Sequence, residues 1–217
     1  MIIANISNLH NGSIVKVKDL IFKCIKSGYN YVKISQYKLN NMTYSNNSIE
    51  TIHGNITVDE YLDKLKFKDE EINYLSNITK DKIKIYSVVC DKKSIDLMSK
   101  YTEICEIEYS TSNSLIINYA NTKFKKVIIS IIEPTVSDII DLYYKYPFII
   151  IMINTQNLSV IKDLKIGNID IGYYNNTEAL HIVSYVYGAR FFEKNFINEN
   201  INNKLINNIK LLKKNKI

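Results

Sequence analysis

Three observations predict that this chain folds as a compact (β/α)8 barrel, a closed α/β fold. Runs rich in β-branched residues alternate eight times with stretches of helical periodicity. The strand runs are mostly continuous in apolar residues, as expected of parallel strands buried on both faces. The first strand is followed by Asn-Leu-His-Asn-Gly and not by a G-x-G-x-x-G turn, which disfavours the doubly wound open sheet that is the alternative. The 217 residues suffice for one domain, a little under the roughly 250 typical of such barrels.

In chain order, strands are expected at Ile2–Ile6, Tyr31–Ser35, Ile83–Val88, Ile104–Ile107, Val127–Ile131, Phe148–Ile153, Asn168–Gly172 and Ala189–Glu193. The first helix carries an apolar stripe of Ile14, Val17, Leu20, Ile21, Cys24 and Ile25, and Gly28 stands at the expected C-terminal position. After the second strand, Asn40 to Asn55 read as a polar Asn/Ser/Thr loop, which in a barrel lies on the catalytic face. Pro134 opens a later helix at a first-turn site, followed by Ile139, Ile140, Leu142 and Tyr143. Ala179–Tyr187 and Ile201–Leu212 supply the last two helices.

Bulk properties exclude several classes. Hydrophobic residues make up 46% and charged residues 23%, so the chain is neither disordered nor fibrous. It has no apolar run of membrane-spanning length and no N-terminal targeting pattern, and a cytoplasmic, non-membrane protein is expected. Cys24, Cys90 and Cys105 have no C-x-x-C spacing and read as buried small hydrophobes, Cys90 included. The net charge is +6, but the lysines are scattered, Arg190 is the only arginine, and the densest run, Lys210 to Lys216, suits a helix C-terminus; no nucleic-acid partner is expected. Ile, Lys, Asn and Tyr are abundant, the bias of A+T-rich coding DNA, in which single base changes turn His or Asp codons into Asn.

In a barrel, chemistry belongs at the C-terminal strand ends. Those ends offer Asn5, Ser7 and Asn8; Lys33 and Ser35; Ser87; Glu106 and Glu108; Ser130 and Glu133; Asn154 and Thr155; Tyr173 to Asn176; and Glu193, Lys194 and Asn195. This amide- and hydroxyl-rich rim suits a phosphate or a polyol. It has no metal cage: His10 is the one nearby histidine, and neutral amides replace imidazole poorly on a transition metal. His53 in the long loop and His181 on a helical face read as structural or surface residues, and Tyr173 and Tyr174 as weak candidates for stacking on a sugar.

The segment Gly188-Ala189 through Glu193-Lys194-Asn195-Phe196, taken with Ile2 to Gly12, resembles the sialic acid synthase family, which reads Glu-Lys-His-Phe at the former. His10 and Gly12 match the family's opening Glu-Ile-Gly-x-Asn-His-x-Gly, with Asn5 at the acidic position and Leu9 at the asparagine. Val32-Lys33-Ile34-Ser35 looks like Val-Lys-Phe-Gln, whose lysine contacts phosphoenolpyruvate. Glu106-Ile107-Glu108-Tyr109 stands where the family has Lys-Ile-x-Ser, and Ser130 matches the serine of Ser-Thr-Gly-Met. Ile151-Met152-Ile153-Asn154-Thr155 resembles Leu-Leu-His-Cys-Thr, and Ile171 to Thr177 resembles Val-Gly-Tyr-Ser-Asp-His-Thr. The two metal histidines thus correspond to Ile153 and Asn195.

The resemblance implies a barrel that condenses phosphoenolpyruvate with an N-acylated aldose, using a divalent metal such as manganese. With both metal positions replaced, no metal or other cofactor is expected here. The resulting expectation is a degenerate synthase-like barrel spanning residues 1–217, without the family's C-terminal antifreeze-like domain. It retains at most weak binding of a phosphorylated or sugar ligand through Lys33, Ser130, Lys194, Asn8 and His10. One alternative is an active synthase or lyase of altered specificity, with Glu106, Glu108 or Glu193 as acid/base. Another is a non-catalytic subunit, a homodimer or the partner of an intact synthase.

Overall fold

The computed structural model describes residues 1–7, 9–35, 48–51, 54–110, 114–164, 169–196 and 199–214. The first half runs β1 (Ile2–Asn5), α1 (Ile14–Lys26), β2 (Tyr31–Ser35), β3 (Ser48–Thr51), β4 (Gly54–Thr57), α2 (Val58–Leu65), α3 (Asp69–Thr79), β5 (Lys84–Val88) and α4 (Lys92–Met98). The second half runs β6 (Ile104–Glu108), α5 (Ser114–Lys123), β7 (Lys126–Ile132), α6 (Val136–Lys145), β8 (Ile149–Asn154), α7 (Ser159–Lys162), β9 (Asp170–Tyr174), α8 (Glu178–Val186), β10 (Phe191–Asn195) and α9 (Glu199–Lys214). Eight of the strands, all parallel, close in the order β1-β10-β9-β8-β7-β6-β5-β2, with β2 pairing back to β1. The expected (β/α)8 barrel is therefore the observed fold.

Side-chain alternation divides the core in two. Inside the barrel Ile3, Tyr86, Ile104, Ile128, Ile150 and Met152 pack on one another, with Met1, Tyr31, Tyr174 and Phe191 against them. The intervening residues, among them Ile2, Ala4, Val32, Cys105, Ile107, Val127, Ile129, Ile151, Ile153 and Phe192, form the larger core under the helices. Two-sided burial explains the unbroken apolar runs, since each buried Ile contributes about 1.5–3 kcal/mol. Gly172 on β9 leaves room for Met152: a Cβ there would stand 2.7 Å from the Met152 sulfur.

Helix ends follow local chemistry. Ser13 caps α1 by accepting from the Lys16 N–H, and after the cap at Ser27 the chain turns through Gly28 at φ 81°, as expected. The start of α6 differs from expectation. Thr135 is its cap, forming a reciprocal box with Asp138, so Pro134 lies before the helix and not in its first turn. The last strand also begins later than expected, at Phe191, because the turn through Gly188 and Arg190 is spent leaving α8. The polar stretch after β2 contains more structure than a loop: β3 and β4 pair as an antiparallel hairpin that leads directly into α2. Among the described residues no helix is long and apolar enough to cross a membrane.

Candidate functional site at the barrel mouth

Lys33, Glu106, Tyr86 and Glu193 come from β2, β6, β5 and β10. β6 and β10 lie on opposite sides of the closed barrel, so these side chains can meet only across its lumen. The Lys33 Nζ lies 3.0 and 3.1 Å from the two oxygens of Glu106 and 2.5 Å from Oε1 of Glu193. The Tyr86 hydroxyl is 3.3 Å from an oxygen of each glutamate, and the Asn5 amide donates to Glu193 Oε1 at 3.1 Å. All four central residues are buried: Lys33 is 7% exposed, Glu106 2%, Glu193 1% and Tyr86 0%. Just beyond them, Tyr174 lies beneath the Lys33 ammonium, 5.8 Å from Nζ to ring centroid, and donates its hydroxyl to Asn195 Oδ1 at 3.2 Å.

Electrostatics follow from this enclosure. Burial opposes the Lys33 charge, but Glu106 and Glu193 outweigh it and hold the ammonium protonated well above the ordinary lysine range. Burial pushes the Glu193 carboxyl up to about 7, against the pull of Lys33 and with the push of Glu106. Burial, reinforced by both carboxylates, also raises the Tyr86 phenol far above its usual value. The unit therefore holds one permanent positive charge, two carboxyls of which one titrates near neutrality, and a hydroxyl bridging them.

The remaining predicted residues are placed as follows. Glu108 lies at the open end of β6, its carboxyl raised by burial and by Glu106. Ser130 faces the lumen on β7, with its Oγ buried and without a hydrogen-bond partner. Lys194, adjacent to Glu193, points the other way: it is 2% exposed under the helices, and burial lowers its ammonium against the pull of Glu178 on α8. Ser87 likewise turns outward, fully buried, and donates to the Val88 carbonyl. Glu133, at φ 45°, is fixed by the Thr155 hydroxyl at 2.5 Å.

His10 is fully buried against the Phe67 ring, at 4.7 Å, and its Nδ1 accepts from the Gly12 N–H at 3.0 Å. Gly12, at φ 76°, passes so close to α2 that a Cβ would stand 2.0 Å from the Lys64 carbonyl oxygen. The His10 and Gly12 match thus corresponds to a packed turn. Tyr173 is buried in the outer core, bonded to the Thr155 carbonyl, so that of this pair Tyr174 faces the lumen. His181 is buried between the Thr177 and Glu193 carbonyls. Asn8, His53 and the side chain of Ser35 lie outside the described residues.

Ile153, the position that the resemblance gives to a metal histidine, belongs to the outer core; the lumen-facing residues of β8 are Met152 and Asn154. Tyr86 is a site residue that the strand-end reading does not include, whereas Tyr174 is among its stacking candidates. Tyr86 pairs directly with Lys33 across β2 and β5, and the phase of its strand could have identified it.

The donor set does not fit the divalent metal that the resemblance implies. Among the described residues no three His, Cys, Asp or Glu side chains converge. Asn195 already accepts from Tyr174, and the space between Glu106 and Glu193 is taken by the Lys33 ammonium.

No protein-family model and no curated protein sequence matches the chain. Solved structures do. An N-acetylneuraminic acid (sialic acid) synthetase from Leptospira borgpetersenii superposes with a TM-score of 0.79 at 17% identity, covering 98% of this chain and 83% of that one. The spore coat polysaccharide biosynthesis protein spsE of Bacillus subtilis gives 0.75 at 19%, covering 99% and 68%. A phospho-2-dehydro-3-deoxyheptonate aldolase from Thermotoga maritima gives 0.69 at 12%, covering 99% and 69%. At these identities the likeness establishes the architecture: the chain is a (β/α)8 barrel of the kind that a sialic acid synthetase and a spore coat polysaccharide biosynthesis protein also adopt.

Proposed function

We propose that the chain is a cytoplasmic sialic-acid-synthase-type barrel of sugar biosynthesis in which metal-dependent condensation of phosphoenolpyruvate with an N-acetylated aldose no longer operates. In this reading the mouth retains weak binding of a polar ligand. The observation that carries the proposal is the double engagement of Lys33 by Glu106 and Glu193. An anionic co-substrate needs an uncompensated cation, and here one positive charge faces two carboxyl groups, that of Glu193 titrating at about 7. A further negative charge about 4 Å away would be repelled by roughly 4 kcal/mol per unit of net charge at an effective dielectric near 20. Lys194 offers no relief, because it lies outside the lumen under α8. Besides the Glu108 carboxyl at the open end of β6, the described residues at the mouth are neutral: the Ser130 hydroxyl, the Asn154 and Asn195 amides and the Tyr174 ring suit the hydroxyls of a sugar.

The test is turnover by purified protein supplied with phosphoenolpyruvate, N-acetylmannosamine and Mn2+, followed by phosphate release. No release above the protein-free control is expected. Sustained turnover would overturn the proposal.

A second reading is supported by one observation, the Glu193 carboxyl poised at about 7 beside Tyr86. A group with that affinity is suited to general acid/base work at neutral pH. It would make the barrel a metal-independent lyase acting on a neutral sugar, with Glu193 moving the proton and Lys33 positioning it. A screen of unphosphorylated sugars in which Glu193→Gln and wild type turn over equally would remove this reading.

A further inference from the structure

We propose that Lys33 is the resident cation of a dicarboxylate site: its ammonium stands between Glu106 and Glu193 where a divalent ion would otherwise bind, and it locks a latent metal site. The inference goes beyond the loss of condensation, since it concerns only which cation the two glutamates hold.

Three features of the cluster support it. Both carboxylates reach one point, the Lys33 Nζ, from opposite walls of the barrel, and Glu106 does so with both oxygens at 3.0 and 3.1 Å. That is the chelating approach that oxygen-seeking ions use at about 2.0–2.6 Å, so closure of Glu106 onto an ion requires movements of about 0.5–1 Å. The carboxylates are also held independently of the lysine. The Tyr86 hydroxyl contacts both, and the Asn5 amide, whose own Oδ1 accepts from the Ser7 N–H, supports Glu193. Finally, the pair is buried, so removing the ammonium leaves two facing carboxyls without a cation, and a divalent ion then competes there with a proton instead of with the lysine. A hard divalent ion then has two carboxyl ligands, a preformed position and the volume vacated by the lysine stem. With the ammonium in place, it has none of these.

Mn2+ alone is the probe, using the full chain as wild type, Lys33→Ala, and Lys33→Ala combined with Glu193→Gln. Free Mn2+ is counted by electron paramagnetic resonance, and the thermal midpoint is recorded in parallel. Wild type should leave Mn2+ free up to about 1 mM. Lys33→Ala should bind one ion per chain with Kd between roughly 10⁻⁵ and 10⁻³ M, the range of sites with few charged ligands, and gain thermal stability on binding. The double variant should bind at least tenfold more weakly. The proposal is overturned if folded Lys33→Ala binds no better than wild type, or if wild type binds as tightly as the variant. If Lys33→Ala is unfolded without metal, about 10 mM Mn2+, near 100 times a Kd of 10⁻⁴ M, should restore the near-ultraviolet circular dichroism of the fold. Failure to do so equally overturns it. Because no phosphoenolpyruvate is involved, either result leaves the turnover test of the proposed function independent.

Discussion

The two ends of the barrel lumen are built from the same strands by opposite means. Toward the N-terminal ends, Ile104, Ile128, Ile150 and Phe191 fill the space with hydrocarbon. Toward the C-terminal ends, Lys33, Glu106, Glu193, Tyr86 and Asn5 fill a comparable space with groups that are stable only because they meet one another. The lower half is held by volume, which tolerates exchange of one aliphatic residue for another. The upper half is held by charge balance, which does not tolerate removal of a single member. A barrel can therefore keep its fold while its mouth changes chemistry, provided the charges at the mouth remain matched.

The largest expected contrast comes from Lys33→Ala. Leaving two buried carboxylates without their ammonium should cost about 3–5 kcal/mol, measured by urea unfolding at pH 7. The loss should shrink at acid pH, where the carboxyls take up protons. Ile150→Ala, in the lower half, should cost about 2–5 kcal/mol for the cavity it leaves, and that loss should not change with pH. Equal pH dependence in the two variants would break the contrast between the halves.

At the boundary of the two regions, Gly172→Ala should cost about 1–3 kcal/mol, because its new methyl meets the Met152 sulfur; shortening Met152 in the same chain should restore part of the loss. Tyr174→Phe removes one hydrogen bond to Asn195 at the open end and should cost about 0.5–1.5 kcal/mol.

The pH dependence of stability sharpens the comparison further. Glu193 keeps its proton up to about 7 in the fold, against an ordinary 4.5 in the unfolded chain. The folded state therefore binds the extra proton between those values, and this contribution, full at acid pH, is lost as pH rises through 7. His10 and His181, both lowered by burial, act in the opposite sense: below about 6.5 the unfolded chain takes up protons that the fold refuses, so they destabilise it in acid. Glu193→Gln should remove the first slope and leave a steeper acid loss in urea titrations at pH 5 and 7. An unchanged profile would show that Glu193 does not titrate in this window.

The fold was legible because alternation and apolar continuity are local signals, and the structure follows them to within a residue or two at most strands. The hairpin of β3 and β4 was not, because its strands are short and rich in Asn, Ser and Thr, the residues that also mark loops. At the site, Lys33, Glu106 and Glu193 were each identifiable as strand-end residues. That they neutralise one another was not, since it depends on closure bringing together residues 73 positions apart in the case of Lys33 and Glu106. The outward turn of Lys194, Ser87 and Ile153 depends on strand phase, and one residue of uncertainty reverses every side chain.

The central claim is that Lys33, the one cation inside the mouth among the described residues, is already spent. Calorimetric titration of phosphoenolpyruvate into the purified chain, with and without Mn2+, tests it most directly. The account predicts no heat of binding at millimolar ligand under either condition. Saturable binding, above all binding that requires Mn2+, would contradict it.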